Sequence, residues 1–451
     1  MKNKNFHFTA IAIFLLFSFS QSAKAQNVYI PDSIFKIALV NNARINTNRD
    51  TAIQVSEAVA YMGSINVSNS GITDLTGIEA FIALDSLDCR GGYQNSPDDP
   101  WGSEFGKLAS LDVSKNITLT YLNCSNNPLN LGLNISGATA LKYLDCSGHS
   151  VISDNYDPIW IQLGSLSSLD VSTNKALKII NCSLNKIDTL IVSGAISLTY
   201  LDCSNNELAS LDVSGATALT YLNCSNLNCE ENTRWPIGPS SYNVLTSLDV
   251  SKNKALINLF CYFNQLTSLD VTGDTALTKL FCWLNQLTSL DVSTNTALDS
   301  LSCNSNQLTS LNCKNGNNLN HGFFYAKNNP KLTCIQVDNA SWSKANWGNN
   351  VDNTVSFNES CIGTGINSIA QSKSPLVYPN PANNSINIIN ASNEQTNIEI
   401  VNVIGQKVFA IKSNSQLEQI DISGFKPGIY FVNIIEQSSG KINTLKFLKT
   451  N

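Results

Sequence analysis

The stretch Leu198 to Ala218, LTYLDCSNNELASLDVSGATA, decides how the chain folds. The next residues restart it with LTYLNCSN at Leu219, and LTKLFCWLNQLTSLDVSTNTA from Leu277 repeats it in full. A period of 21 residues signals a solenoid, because one such unit cannot bury its own apolar face and must stack on its neighbours.

Leu201 and Cys203 alternate with Tyr200, Asp202 and Ser204, so a short strand sends one set inward and the other outward. Leu208, Leu211 and Val213 supply a second inward row, and Cys203 is a small buried hydrophobe that lets a narrow coil close. Asn206 falls where the chain turns without a β-ladder, and its amide can bond backbone groups of its own and adjacent coils. The motif L-x-x-L-x-C-x-x-N-x-L-x-x-L-D-V-S resembles the leucine-rich repeat family, with Cys where many members carry Leu.

The inward thiols Cys89, Cys124, Cys146, Cys182, Cys203, Cys224, Cys261, Cys282 and Cys303 count nine coils. The step from Cys to the next Leu is five residues in Cys203 to Leu208, but 19 from Cys89, 20 from Cys146 and 21 from Cys224. Three insertions therefore leave from one rim, and Gly92, His149 and Leu227 replace the ladder Asn beneath them. The fold expected is mixed but β-rich: a leucine-rich repeat solenoid with a curved parallel sheet, a small helical N-terminal cap and a C-terminal antiparallel β-sandwich.

Lys2, Lys4, an apolar run from Phe6 to Phe19 and Ala23-Lys24-Ala25 form a secretory signal peptide over residues 1–25. No later stretch is apolar enough to span a membrane, so membrane attachment is expected to be indirect only. Without the leader lysines, 25 basic residues face 34 acidic ones with no basic stripe, which argues against a nucleic-acid partner. Thirteen Cys in an exported chain would suggest disulfides, yet one thiol per coil pointing the same way argues for free buried thiols.

Residues 26–74 are expected to cap the solenoid, with Ile34, Phe35, Ala38 and Leu39 on one helical face after Pro31 and a second helix over Glu57 to Met62. Between them NTNRDTAIQVSE resembles an EF-hand or dockerin-like calcium loop. That resemblance implies Asn46, Asn48, Asp50, Ala52 through its carbonyl, and Glu57 as ligands. Asn46 stands where Asp is usual and Thr51 where Gly makes the sharp turn, so a turn kept without its ion is the alternative.

After the ninth coil, Leu332, Ile335 and Val337 extend the second inward row before SWSKANWGNN breaks the period. Cys334 and Cys361 flank this segment, which looks like the C-terminal cap of bacterial surface leucine-rich repeat proteins, and a disulfide there would clip the solenoid end. Residues 75–361 are thus read as solenoid and C-terminal cap, and 362–376 as linker. In 377–451, Ser385 to Ile389, Ile398 to Val403, Lys407 to Ile411, Gly428 to Ile434 and Asn443 to Leu448 alternate at period 2, as in a small β-sandwich.

Tyr378-Pro379-Asn380-Pro381, Gly405-Gln406-Lys407-Val408, Lys426-Pro427-Gly428-Ile429-Tyr430 and Lys446-Phe447-Leu448-Lys449 resemble the type IX secretion C-terminal sorting domain. The resemblance implies passage across inner and outer membranes, the type IX machinery and a sortase as partners, and a final location at the cell surface or outside the cell. The activity then lies upstream.

Neither His149 nor His321 sits in a nucleophile elbow, a metal-binding pair or another catalytic motif, so the chain is expected not to be an enzyme. Asp112, Asp170, Asp212, Asp249, Asp270 and Asp291 recur in the L-D-V step, where bonds from Ser and turn amides account for them better than a cation stripe. The outward strand positions say more. Phe260, Tyr262, Phe281 and Trp283 form a two-by-two ring block, with Tyr200 and Tyr221 not far along. A contiguous exposed apolar patch marks a binding surface, although cross-strand rings also stabilise a sheet. Each insertion adds a Trp beside Pro: Trp101, Trp160 and Trp235. The leading reading is a surface-displayed or secreted protein that binds a macromolecule, a protein in the first instance, through this face and rim. A glycan ligand and an enzyme with an unrecognised site in the insertions are the alternatives.

Overall fold

The computed structural model describes residues 26–92, 106–148, 164–226, 242–318, 322–361, 375–389, 395–415, 417–437 and 440–450. The leader, His149, Cys229, His321, most of the linker, and the insertion tryptophans Trp101, Trp160 and Trp235 lie outside these residues.

The outward-inward alternation produces one parallel sheet of eleven three-residue strands. They are, in spatial order, Ser64–Asn66, Ser86–Asp88, Tyr121–Asn123, Tyr143–Asp145, Ile179–Asn181, Tyr200–Asp202, Tyr221–Asn223, Asn258–Phe260, Lys279–Phe281, Ser300–Ser302 and Phe323–Tyr325. Register keeps the apolar residues in line, so Leu201 pairs with Ile180 on one side and Leu222 on the other. Each such side chain is fully buried, and a buried Leu contributes about 2 kcal/mol. Eleven coils exceed the nine counted by thiols because the terminal coils place Val67 and Ala326 at the inward position that Cys fills elsewhere. The sheet thus starts inside the segment read as a cap.

The second inward row forms shorter parallel sheets behind: Ser110–Asp112 with Gly132–Asn134, Ser168–Asp170 with Thr189–Ile191, and a four-stranded run from Ser289–Asp291 to Ser356–Asn358. Leu332, Ile335 and Val337 are all buried in its continuation. Ten cysteines, the nine ladder thiols and Cys313, are buried and unbridged. Burial raises each thiol, to about 12 in Cys282, which keeps it protonated and unreactive. Several donate to the next strand, as Cys203 Sγ does to Asn223 O at 3.4 Å.

Behind the thiols runs the Asn ladder. Asn206 Nδ2 donates to Cys203 O at 3.0 Å and Cys182 O at 3.1 Å, while its Oδ1 accepts from Ile187 N at 3.0 Å. Asn127, Asn185, Asn264, Asn285, Asn306 and Asn329 repeat the arrangement, so each amide ties its own coil to the one before. The third inserted coil does not lack its Asn. Asn243, two residues before Leu245, binds Cys224 O and Cys203 O at 3.1 Å. Counting forward from Cys224 lands on Leu227, whereas the ladder position is fixed from the Leu that follows.

Where insertions depart, the neck is closed. Gly91 N and Gly106 N donate to successive carbonyls of the next coil, Ser125 O and Asn126 O. Gly148 and Gly164 do the same with Ser183 O and Leu184 O. A Cβ on Gly106 would stand 2.1 Å from Asn127 Oδ1, and one on Gly91 2.5 Å from Gly106 Cα, so only glycine allows this approach. In the third neck Asn226 and Asn243 exchange two 2.9 Å bonds, and the Asn226 side chain also reaches Phe263 O.

Both ends are capped. Helix α1, Ser33–Val40, buries Phe35 and Leu39 but leaves Ile34 exposed. Asp32 caps it through Ile34 N and Phe35 N, and its other oxygen accepts from Thr73 N and Oγ1. Helix α2 spans Val55–Ala60, starting earlier than Glu57 because Gln54 and Glu57 form a capping box. At the far end α3, Ala340–Trp347, stacks Trp347 on Phe324 of the last coil at 4.2 Å. A disulfide joins Cys334 to Cys361 beside it.

The C-terminal unit has its own core, built on Ile386, Ile388, Ile398, Ile400, Val432, Ile434 and Phe447. Two antiparallel sheets enclose it, one of Leu376–Tyr378, Ser385–Ile389 and Leu417–Asp421, the other of Lys407–Ser413, Thr396–Asn402, Gly428–Glu436 and Ile442–Lys449.

Candidate recognition face

Each strand presents three outward positions, exemplified by Tyr200, Asp202 and Ser204. Down the first seven coils the middle position reads Asn66, Asp88, Asn123, Asp145, Asn181, Asp202 and Asn223, alternating amide with carboxylate. Alternation separates like charges by two strand spacings, ~9.6 Å, and lets Asn223 Nδ2 donate to Asp202 Oδ2 at 3.2 Å. In six of these coils the third position is Ser, whose hydroxyl and amide both donate to the Asn or Asp two residues earlier. Asp88 has Arg90 instead, at 3.6 Å. Burial holds the Asp202 carboxyl above its ordinary range against the lowering bonds of Ser204 and Asn223. This half of the face thus satisfies its polar groups internally.

The next two coils abandon the clasp: Phe260 and Tyr262, then Phe281 and Trp283, occupy the same two positions. Tyr262 and Trp283 stack at 4.5 Å and 9°, and Phe260 meets Phe281 edge-on at 5.3 Å. Tyr200 and Tyr221 stack at 4.2 Å, Tyr221 leans on Phe260 at 5.4 Å, and Phe281 reaches Phe323 at 5.9 Å. Tyr200, Tyr221, Phe260, Tyr262, Phe281 and Trp283 are therefore brought together in one band, each half-buried, with Phe323 exposed at its end. A separate stack, Tyr121 on Tyr143 at 4.6 Å, lies in the clasped half.

The regular coil turns through a left-handed residue two places after the inward position. Asn69, Asn126, Asn205 and Asn328 suit that conformation. Phe263 at φ 56° and Leu284 at φ 50° do not, and they carry the apolar band onto the rim, where Phe263 meets Tyr242 at 5.5 Å. Reading the sequence coil by coil in columns, rather than within one coil, would have found the clasp and these rim residues.

The EF-hand-like loop places its residues differently from the calcium pattern. Glu57 Oε1 accepts from Thr47 N, Thr47 Oγ1 and Asn48 N, and Oε2 from Gln54 N. Asp50 accepts from Ala52 N and from the amide groups of Asn48 and Gln54. Asn46 turns its Nδ2 to Val40 O and Asp50 O. Burial raises Glu57, but these bonds outweigh it and leave the group below the ordinary range. Arg49 has positive φ and Thr51 does not, so the turn that glycine makes in such loops is absent. Both carboxylates are engaged by protein donors, while the buried Asn46 Oδ1, at the first position of the pattern, has no hydrogen-bond partner among the described residues.

A sheet coil bearing Leu, Leu and Cys inward, an Asn ladder behind and caps at both ends defines a leucine-rich repeat solenoid. Residues 376–448 match the family model described as the secretion system C-terminal sorting domain. The chain thus joins a solenoid of the leucine-rich repeat fold to a type IX sorting domain, which indicates export to the cell surface or the extracellular space. Among the described residues no helix is long and apolar enough to cross a membrane. No curated protein matches the chain. Among solved structures it is similar to the functional domain of InlJ from Listeria monocytogenes, described as including a cysteine ladder, with 20% identity, TM-score 0.36, and coverage of 94% of this chain and 98% of that one. It is similar to the leucine-rich repeat domain of APL1B at 16% identity and TM-score 0.34, covering 63% of this chain and 76% of that one. PorZ, a bacterial surface component of the type IX secretion system of Porphyromonas gingivalis, is similar over 18% of this chain and 12% of its own, at 17% identity and TM-score 0.16.

Proposed function

We propose that this chain is a non-enzymatic recognition protein that binds a macromolecular partner, a protein, through the aromatic half of its strand face. The observation that carries the reading is the replacement of the Asx–Ser clasp by rings in the Cys261 and Cys282 coils. Six other coils close with the clasp, so the sheet does not require rings at these positions. A half-buried apolar band without a structural need is what a binding surface supplies.

Ring geometry bears on the glycan alternative. A sugar stacks on a ring face, but Tyr262 and Trp283 lie parallel at 4.5 Å, as do Tyr200 and Tyr221 at 4.2 Å, so each ring spends a face on its neighbour. The outer face of a stack remains, with ring edges and hydroxyls beside it, a mixed surface that suits a protein better. The sorting domain implies handling by the type IX machinery, and a sortase is the proposed final partner. The test is binding of the mature full-length chain to protein candidates and to a glycan array. Loss of a protein interaction in Phe281→Ala and Trp283→Ala, with thermal unfolding retained, supports the reading. Binding that ignores both substitutions removes it.

A further inference from the structure

We propose that the aromatic half takes an acidic protein segment laid along the strand direction. The inference rests on the recognition role above and names the chemistry of the partner.

Charge along the face is segregated. Its carboxylates, Asp88, Asp145 and Asp202, all lie in the clasped half, and each is already held by Arg90 or a Ser. In the aromatic half the charged outward residues are Lys279, beside Phe281, and Lys327, in line with Trp283 and Asn304. Neither forms an ion pair among the described residues. The carboxylate near Lys279, Asp299, is taken by Gly322 N and the Ser300 hydroxyl. In a chain of net charge −6, two uncompensated cations beside a ring band are a local inversion that selects an anionic partner.

Shape supports a segment over a small ligand. Asn304 runs beside Trp283 in register and is much shorter, so the stack of Tyr262 and Trp283 ends in an open ring face where a flat side chain can add one more rung. Phe263 and Leu284 then continue the apolar surface over the rim in left-handed backbone, a conformation that a residue with a Cβ adopts at a cost. Leu184 is the other apolar residue at that turn, so the two consecutive cases coincide with the ring block. An occupant that runs along the strand direction from Lys279 past Phe281 and Trp283 to this rim meets charge, rings and apolar edge in turn.

The test uses the mature full-length chain and a random peptide display library. Recovered peptides should combine Asp or Glu with Tyr, Phe or Trp. Their affinity should fall about tenfold in the Lys279→Glu, Lys327→Glu double variant and weaken with salt, and should be lost in Trp283→Ser. The lysine changes are at the surface, so unfolding temperature should hold and separate lost contact from lost fold. Neutral or basic peptides that still need Trp283 would overturn the acidic partner and leave the recognition role standing. Peptides indifferent to Trp283→Ser and Phe281→Ala, or an empty selection, would overturn both. Binding of polygalacturonate in place of peptides would overturn the protein class.

Discussion

The clasped and aromatic halves of the strand face share one scaffold and use it differently. Both stack the same Leu and Cys and the same Asn ladder, as Asn206 and Asn285 show with matching bonds to their own and the preceding coil. In the clasped half the Asp202 and Ser204 side chains bond each other, whereas the Phe281 and Trp283 side chains at the same positions contact other rings. What differs between them is therefore not needed for coiling, and variation at outward positions is free to serve recognition.

The largest effect should come from what the halves share. Asn206→Ala and Asn285→Ala each strand two carbonyls and an amide in the core, which should cost about 3 kcal/mol or more in urea unfolding. A loss confined to one half would break the idea of a common scaffold. Next, Ser204→Ala removes a hydroxyl from Asp202 and should cost about 1 kcal/mol by the same measurement. The sharper comparison is an exchange: Phe281→Asn with Trp283→Ser installs a clasp in the aromatic half. Stability should stay within about 1 kcal/mol while partner binding disappears, since one clasp bond offsets part of the lost ring burial. Collapse of the fold would show the rings to be structural.

The smallest effect is a pH dependence. Because Asp202 has a raised folded value, its charge costs stability at neutral pH, and that cost fades as pH falls through the folded value. Asp202→Asn should therefore be the more stable protein at pH 7, with the difference shrinking in acid. Thermal unfolding across that range checks the sign.

Most of the architecture was legible because it is periodic. Leu201, Cys203 and Asn206 repeat with fixed spacing, and each role follows from side-chain direction and hydrogen-bonding capacity. The terminal coils were not counted because Val67 and Ala326 keep the inward role without the thiol that marked it. Leu417–Asp421 escaped because LEQID places a single fully buried residue, Ile420, among polar ones, too little for a period-2 signal. Leu376–Tyr378 escaped because it is three residues long and abuts Pro379. The ring block was visible in the sequence, but not its stacking, which depends on cross-strand register. In the calcium-like loop, Gln54 and Asn48 direct amide groups at Asp50, which residue types at ligand spacing do not reveal.

The closed necks have a consequence for how such a protein can change. Because Gly91 with Gly106, Gly148 with Gly164, and Asn226 with Asn243 seal each departure before the excursion begins, the coil does not sense what hangs beyond the seal. Loops of unrelated length or chemistry can be exchanged there as cassettes, so a lineage can revise what the rim displays without renegotiating the rod that carries it.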